Sequence, residues 1–284
     1  MKKACWISAG ILVLLMVVSG ILTIISINSS SLARNRIGLV RIEGPIIDSE
    51  KTVNEIKEYA RDASIKAILL RVNSPGGAVA PSQEIYAEVK KAVEKKPVVV
   101  SMGAVAASGG YYISAPASRI VANPGTITAS IGVIMEIPNI SGLMQKIGVR
   151  SEVVKSGKHK DLASAFRDLG DDERLILQSV IDNVHEQFID AVALGRDMEG
   201  NDVRKIADGR IFTGEQAVEA GLVDELGSLE DAIDIAAELA GISGKPKVIE
   251  KKEKRSFLDL LNSSISGKIN DIIPTIELKY LFSP

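Results

Sequence analysis

Short, nearly continuous apolar runs alternate along this chain with longer stretches whose apolar positions recur every three or four residues. The runs predict strands over residues 37–42, 65–72, 97–101, 119–122 and 149–154. The second is the clearest, with Ala67, Ile68, Leu69 and Leu70 in a row. Between them, the periodic stretches predict helices over 52–63, 81–95 and 106–117, the second carrying Ile85, Val89 and Val93 at spacings of four. A longer helix is expected over 171–194, with Leu177, Val180, Ile181, Val184, Phe188 and Val192 on one stripe and Asp171, Asp172 and Glu173 suited to its N-terminal dipole. A shorter unit, 201–240, is punctuated by Gly209, Gly214, Gly221 and Gly227. Unbroken apolar strands separated by helices imply an α/β fold of parallel units, the sheet covered on both faces.

The N-terminus follows a different pattern. No charge appears between Lys3 and Arg34, and residues 7–27 are 21 residues dominated by Ile, Leu, Val, Gly and Met. At 1.5 Å per residue that is about 30 Å of helix, enough to cross a bilayer core. Secretory signals usually carry only about 7–15 apolar residues, so an uncleaved anchor is the better reading; the small residues Asn28 to Ser31 keep a cleavable signal open. Lys2 and Lys3 favour a cytoplasmic N-terminus, which places the rest of the chain on the extracytoplasmic side of the cell membrane. The expected organisation is an anchor over 1–34, a folded domain over 35–244 and a tail over 245–284 that opens with a basic run and is weakly amphipathic.

Composition narrows the chemistry. Lys and Arg number 34 against 36 Asp and Glu in 284 residues, so no bulk charge draws the protein to nucleic acid. One cysteine, Cys5, and two histidines, His159 and His185, argue against a disulfide framework and against a Cys- or His-based metal centre. Neither a metal nor a cofactor is expected. Serine, lysine and carboxylates remain as catalytic groups.

Three segments that follow predicted strands could use them, because ligands of open α/β sheets bind at strand C-termini. Asn73-Ser74-Pro75-Gly76-Gly77 offers backbone N–H groups with no Cβ in the way, suited to an oxyanion, or is merely a turn. Ser108 stands in Ala106-Ala107-Ser108-Gly109-Gly110, where the hydroxyl is accessible and the Gly109 amide can act as an oxyanion donor; the plainer reading is an N-cap serine. Lys155-Ser156-Gly157-Lys158-His159-Lys160-Asp161 is a basic loop, of a kind usually no more than a solvated surface. Ser130 sits in a further Gly-flanked turn, and the residues themselves do not choose among Lys155, Lys158 and Lys160.

Taken together, NSPGG, SMGAVAASGGYYISAPASRI, TASIGV and SGKHKD resemble, in order, the signal peptide peptidase A family of serine proteases. The likeness covers about residues 37–227. It implies a β-α-β superhelix similar to crotonases and Clp proteases, here preceded by one transmembrane helix. It also implies Ser108 as nucleophile, Lys160 as general base 52 residues later, Ser130 as the serine supporting that lysine, and Gly109 with Gly76 or Gly77 as oxyanion donors. The short form of the family implies a homo-oligomer, a ring or dome in which a neighbouring protomer can supply the lysine. The implied substrates are remnant signal peptides and other apolar, extended peptides.

The chemistry is coherent. A free lysine titrates near 10.4, so a lysine base needs an apolar, water-poor setting, which also strengthens oxyanion donors. His159 beside Lys160 is a weaker alternative base; His185, at the border of the apolar stripe of the long helix, is expected to be structural, so a Ser–His–Asp triad is the weaker mechanism. The tail is expected to lie on lipid, on a neighbouring protomer or in the substrate groove. Competing functions are an anchored protease that cleaves a stomatin-like partner, and a non-proteolytic acyl-CoA binder or scaffold.

Overall fold

The computed structural model describes residues 35–251 and 278–282, with Met16, Val18 and Ser19 besides. The expected membrane segment at 7–27, those three residues apart, lies outside the described residues, as does most of the tail. No described helix is long and apolar enough to cross a membrane.

The main sheet is built from β1 (Arg36–Glu43), β2 (Ile65–Ser74), β4 (Val98–Ala107), β5 (Arg119–Ala122), β9 (Glu225–Leu226) and β10 (Lys247–Glu250). Their order is β10-β1-β2-β4-β5-β9 and every pairing is parallel. Two further strands, β6 (Ile127–Ala129) and β8 (Ile211–Thr213), extend it beyond the second half of β4. The strands read as unbroken apolar runs because both faces are covered. Ile68, Leu70 and Val72 join a large core with α1 (Glu50–Arg61), α2 (Val79–Val93) and α3 (Gly109–Ser114). Ala67 and Leu69 point the other way, into a smaller core with Ala232, Ala236 and Ala237 of α8 (Leu229–Leu239). The alternation is that of a strand buried on both sides.

The remaining helices are α4 (Ser141–Lys146), α5 (Asp171–Arg196), α6 (Gly200–Ile206) and α7 (Gly214–Glu219). A separate three-stranded sheet joins β3 (Gly76–Ala78), β7 (Ile134–Met135) and β11 (Leu278–Leu281), with β11 antiparallel to both neighbours.

Several sequence expectations shift. The helix expected over 106–117 begins only at Gly109, because β4 continues through Ala107. Residues 149–154 form no strand: no neighbouring segment of the described chain pairs with them, and Val149, Val153 and Val154 stay exposed. The stripe of α5 is buried only in part. Leu177, Phe188 and Val192 are inside, while Val180 is exposed.

Candidate active site

Ser108 is placed by a distortion of β4. Val72 pairs with Met102 but Ser74 pairs with Ala106, so β4 carries extra residues around Gly103 to Val105 and bends there. The bend is secured by Thr126 Oγ1 donating to the Gly103 carbonyl (2.8 Å) and Thr128 Oγ1 to the Ala106 carbonyl (2.7 Å). Beyond it the chain turns sharply at Ser108, whose φ is 51°. The Ser108 N–H donates to the Ala129 carbonyl (2.6 Å), and its own carbonyl accepts from Tyr112 N–H (2.8 Å) to start α3. Its side chain makes no capping hydrogen bond, although Ser108 occupies the N-cap position. A side-chain cap therefore does not account for a serine at this position. Ala129 and Ser130 also have positive φ, 62° and 52°, so three side-chain-bearing residues hold uncommon backbone conformations within this one turn system.

The glycine pair lies alongside. Gly76 has φ 99°, and a Cβ there would stand 2.0 Å from the Tyr280 carbonyl oxygen and 2.6 Å from the Gly109 nitrogen. Only glycine fits. The Gly76 N–H already donates to Ser74 Oγ (3.1 Å). A Cβ on Gly109 would lie 3.2 Å from the Gly77 nitrogen, so those two amides are close neighbours.

Across this corner runs β11, from the far end of the chain. Tyr280 is opposite Gly77 and Leu281 opposite Gly76, and Phe282 N–H donates to the Pro75 carbonyl (2.8 Å). Tyr280 is fully buried in an aromatic pocket. Its ring stacks on Tyr112 (centroids 5.0 Å, planes 25° apart) and tilts against Phe188 (4.7 Å), while Tyr86 closes on Tyr112 (4.9 Å). The Tyr280 hydroxyl donates to the Val184 carbonyl (3.3 Å). Burial pushes the Tyr112 phenol up to about 12 and raises that of Tyr280, so both stay protonated at neutral pH.

On the other side of Ser108 opens a cavity of about 590 Å³. Ser130, Glu136, Asp182 and His185 are on its walls, together with Leu281 and Phe282 of the tail. A second hollow of about 440 Å³ beside β1 is lined by charged groups, including Arg41, Glu55 and Lys251, and contains no serine.

Lys160 is not on the Ser108 cavity wall; it is exposed on the loop between residues 155 and 170. That loop is a run of tight turns: Lys160 N–H donates to the Gly157 carbonyl (3.2 Å), Leu162 N–H to His159 (3.2 Å) and Ser164 N–H to Asp161 (3.1 Å). Its three lysines differ. Lys155 Nζ is held by Asp161 (2.5 Å) and Lys158 Nζ by Asp172 (2.5 Å). Among the described residues, no ion pair holds Lys160.

Arg167 ties this loop to α5. Its Nε donates to Asp161 Oδ2 (3.0 Å), its Nη2 to the Asp161 carbonyl (3.0 Å), and its two terminal nitrogens grip Glu173 (2.7 and 2.6 Å). Glu173 also accepts from Gly170 N–H (3.1 Å). The Arg167 fork holds the Glu173 carboxyl down to about 2, and with Lys155 it holds Asp161 well below the usual range.

The family profile of peptidase S49 matches residues 90–243, more than half of the chain. A protein of Synechocystis sp. provisionally named a protease is 46% identical over 210 residues, 74% of this chain and 76% of that protein. The chain belongs to peptidase family S49. The Clp protease profile matches residues 29–127, in keeping with the parallel sheet and the glycine corner. An Enterococcus faecium protein provisionally named signal peptide peptidase SppA is 43% identical over 183 residues, and Protease 4 of Salmonella typhi 38% over 248. These matches take in 64% and 84% of this chain but 53% and 40% of those relatives.

In this S49 serine peptidase the fold gathers Ser108, Gly109, Gly76, Gly77 and Ser130 at one corner and holds Lys160 apart from them. Two contributions escaped the sequence reading. His185, expected to be structural, reaches the Ser108 cavity, and its Nε2 is buried with no hydrogen-bond partner among the described residues. Asp182, one turn earlier, accepts instead from Gln178 (2.7 Å), so serine, imidazole and carboxylate are not linked as a triad would be. The Tyr86–Tyr112–Phe188 pocket was also missed. Tyr112 and Phe188 were visible only as apolar helix positions, with nothing local to show that they meet.

Proposed function

We propose that this S49 peptidase is a membrane-anchored endopeptidase that degrades remnant signal peptides and other apolar, extended peptides through an acyl-enzyme. Ser108 is the nucleophile and Lys160 the general base. The observation that carries this reading is a serine hydroxyl released from capping beside a glycine edge that already pairs with an extended segment. A peptide would follow the course of β11, antiparallel to β3, adding a strand to that edge. The residue in the place of Tyr280 would put an apolar or aromatic side chain into the pocket and its carbonyl beside Ser108. The Gly109 and Gly77 amides are the oxyanion donors, because that of Gly76 is engaged by Ser74.

General-base work requires a neutral amine, which removal from water favours. Lys160, exposed on its own chain, meets that condition when it enters the Ser108 cavity of a second copy, where Ser130 stands ready to accept its hydrogen bond. The amine takes the Ser108 proton as Oγ attacks, returns it to the leaving amine, and then activates the water that clears the acyl-enzyme. Of the loop's lysines, Lys160 is favoured because Lys155 and Lys158 are bound to carboxylates. The apolar segment at 7–27 would hold the domain at the bilayer, where such fragments emerge.

Hydrolysis of apolar peptides by full-length protein tests the assignment. Ser108→Ala and Lys160→Ala should each abolish turnover without changing assembly, and mixed assemblies of the two variants should regain it. A fully active Lys160→Ala protein would overturn the dyad.

A further inference from the structure

The loop that carries Lys160 is more tightly built than its exposure suggests. Its neighbour in sequence, Asp161, is gripped by Lys155 and by Arg167 through both carboxylate and backbone oxygens. Arg167 in turn forks onto Glu173, which is only 5% exposed in the first turn of α5. Ala163, three residues after Lys160, is buried with φ 59°, a conformation a side-chain-bearing residue keeps only where its surroundings enforce it. These contacts fix the backbone on both sides of Lys160, while no ion pair among the described residues engages its amine. Further along, α5 presents Gln178, Ile181, Asp182 and His185 to the Ser108 cavity of the same chain. One helix is therefore both the anchor of the lysine loop and a wall of the serine's cavity.

We propose that Arg167, acting through Asp161 and Glu173, is a positioning residue for Lys160: it locks the loop to the start of α5, so that the amine is offered to a second copy's Ser108 in a set place. The proposal rests on the reading of Lys160 as the base. A fork of this kind restrains both distance and angle, which a lysine in the same position cannot do. Removing it would leave the amine present but displaced, and a misplacement of about 1 Å can cost about a hundredfold in rate. The loss should fall on kcat and spare KM, because β3 and the aromatic pocket are untouched.

The test uses co-expressed, differently tagged full-length chains. Ser108→Ala chains can donate only the lysine, and Lys160→Ala chains only the serine. Random pairing in a head-to-tail assembly should restore roughly a quarter of wild-type activity. Adding Arg167→Met to the lysine donor should lower the restored kcat about ten- to a hundredfold at unchanged KM. Adding it to the serine donor should leave the restored rate as it was, and Arg167→Lys in the lysine donor should recover only part of the loss. Equal losses from either chain would show a general stabilising role and overturn the proposal, as would no loss from the lysine donor. If the mixed chains regain nothing, the shared site fails and the proposal with it. An active Lys160→Ala chain would remove the base itself, and the proposal with it.

Discussion

Replacing Tyr280 by alanine tests whether β11 competes with substrate for the groove. In the folded chain the tyrosine is wholly enclosed, stacked on Tyr112 and packed against Phe188, and its hydroxyl is bonded to the Val184 carbonyl. Truncating a buried aromatic side chain costs about 3–5 kcal/mol. Here the loss falls on the seating of a short strand, because β11 is four residues long and three of them, Lys279, Tyr280 and Leu281, pair with β3. Taking about 3 kcal/mol, occupancy of the groove by the tail weakens by roughly two orders of magnitude. If the tail holds the groove against incoming peptide, the apparent KM for an apolar peptide should fall by up to about a hundredfold, with kcat unchanged. Tyr280→Phe, which loses only a hydrogen bond of about 1 kcal/mol, should lower KM less than tenfold. The assay is steady-state hydrolysis of a quenched fluorescent peptide by full-length protein, run with and without a synthetic peptide of residues 278–284. That peptide should inhibit Tyr280→Ala competitively. An unchanged KM in Tyr280→Ala, or a synthetic tail that fails to inhibit, would refute the competition and leave β11 a structural strand.

Two further outcomes follow from the site and its surroundings. His185→Ala should lower kcat/KM by less than about tenfold in the same peptide assay, whereas loss of a triad histidine would cost at least about a thousandfold. The Glu173 carboxyl, held near 2 by Arg167, favours the folded state at any pH above its unfolded value near 4.5, and that contribution is lost as pH falls toward 2. Thermal melts of wild type and Glu173→Gln should therefore differ at pH 6 and converge near pH 2; curves that stay parallel throughout would show that the ion pair contributes nothing to folding.

Much of the architecture was legible because burial on two faces writes itself as unbroken apolar runs. The expected strand at 65–72 is β2 less two residues, and the helix expected at 81–95 is α2 displaced by two. The glycine pair and Ser108 were also readable, since each sits where a strand must turn. What failed lacked a local cause. Residues 149–154 have the composition of a strand but, among the described residues, no strand beside them to bond with. Residues 106 and 107 are small enough to suit a helix, yet they continue β4, because Asn73 and the threonines at 126 and 128 bind its bent backbone. β11 is short and pairs with segments some 140 and 200 residues away, a register that periodicity cannot reveal. Only the loop's ion pairs distinguish its lysines, and those depend on Asp161 and Asp172 pointing the right way.

The posture of Ser108, the proposed nucleophile, sets chemistry and durability against each other at one position. A backbone angle of 51° suits a residue without a side chain, and holding a hydroxymethyl group there costs on the order of 1–3 kcal/mol. Glycine at 108 would relax the turn and remove the hydroxyl that the proposed mechanism uses to attack. Selection for heat tolerance alone would therefore drift toward a sturdier, silent protein, and only a screen that also demands turnover would keep the oxygen in place.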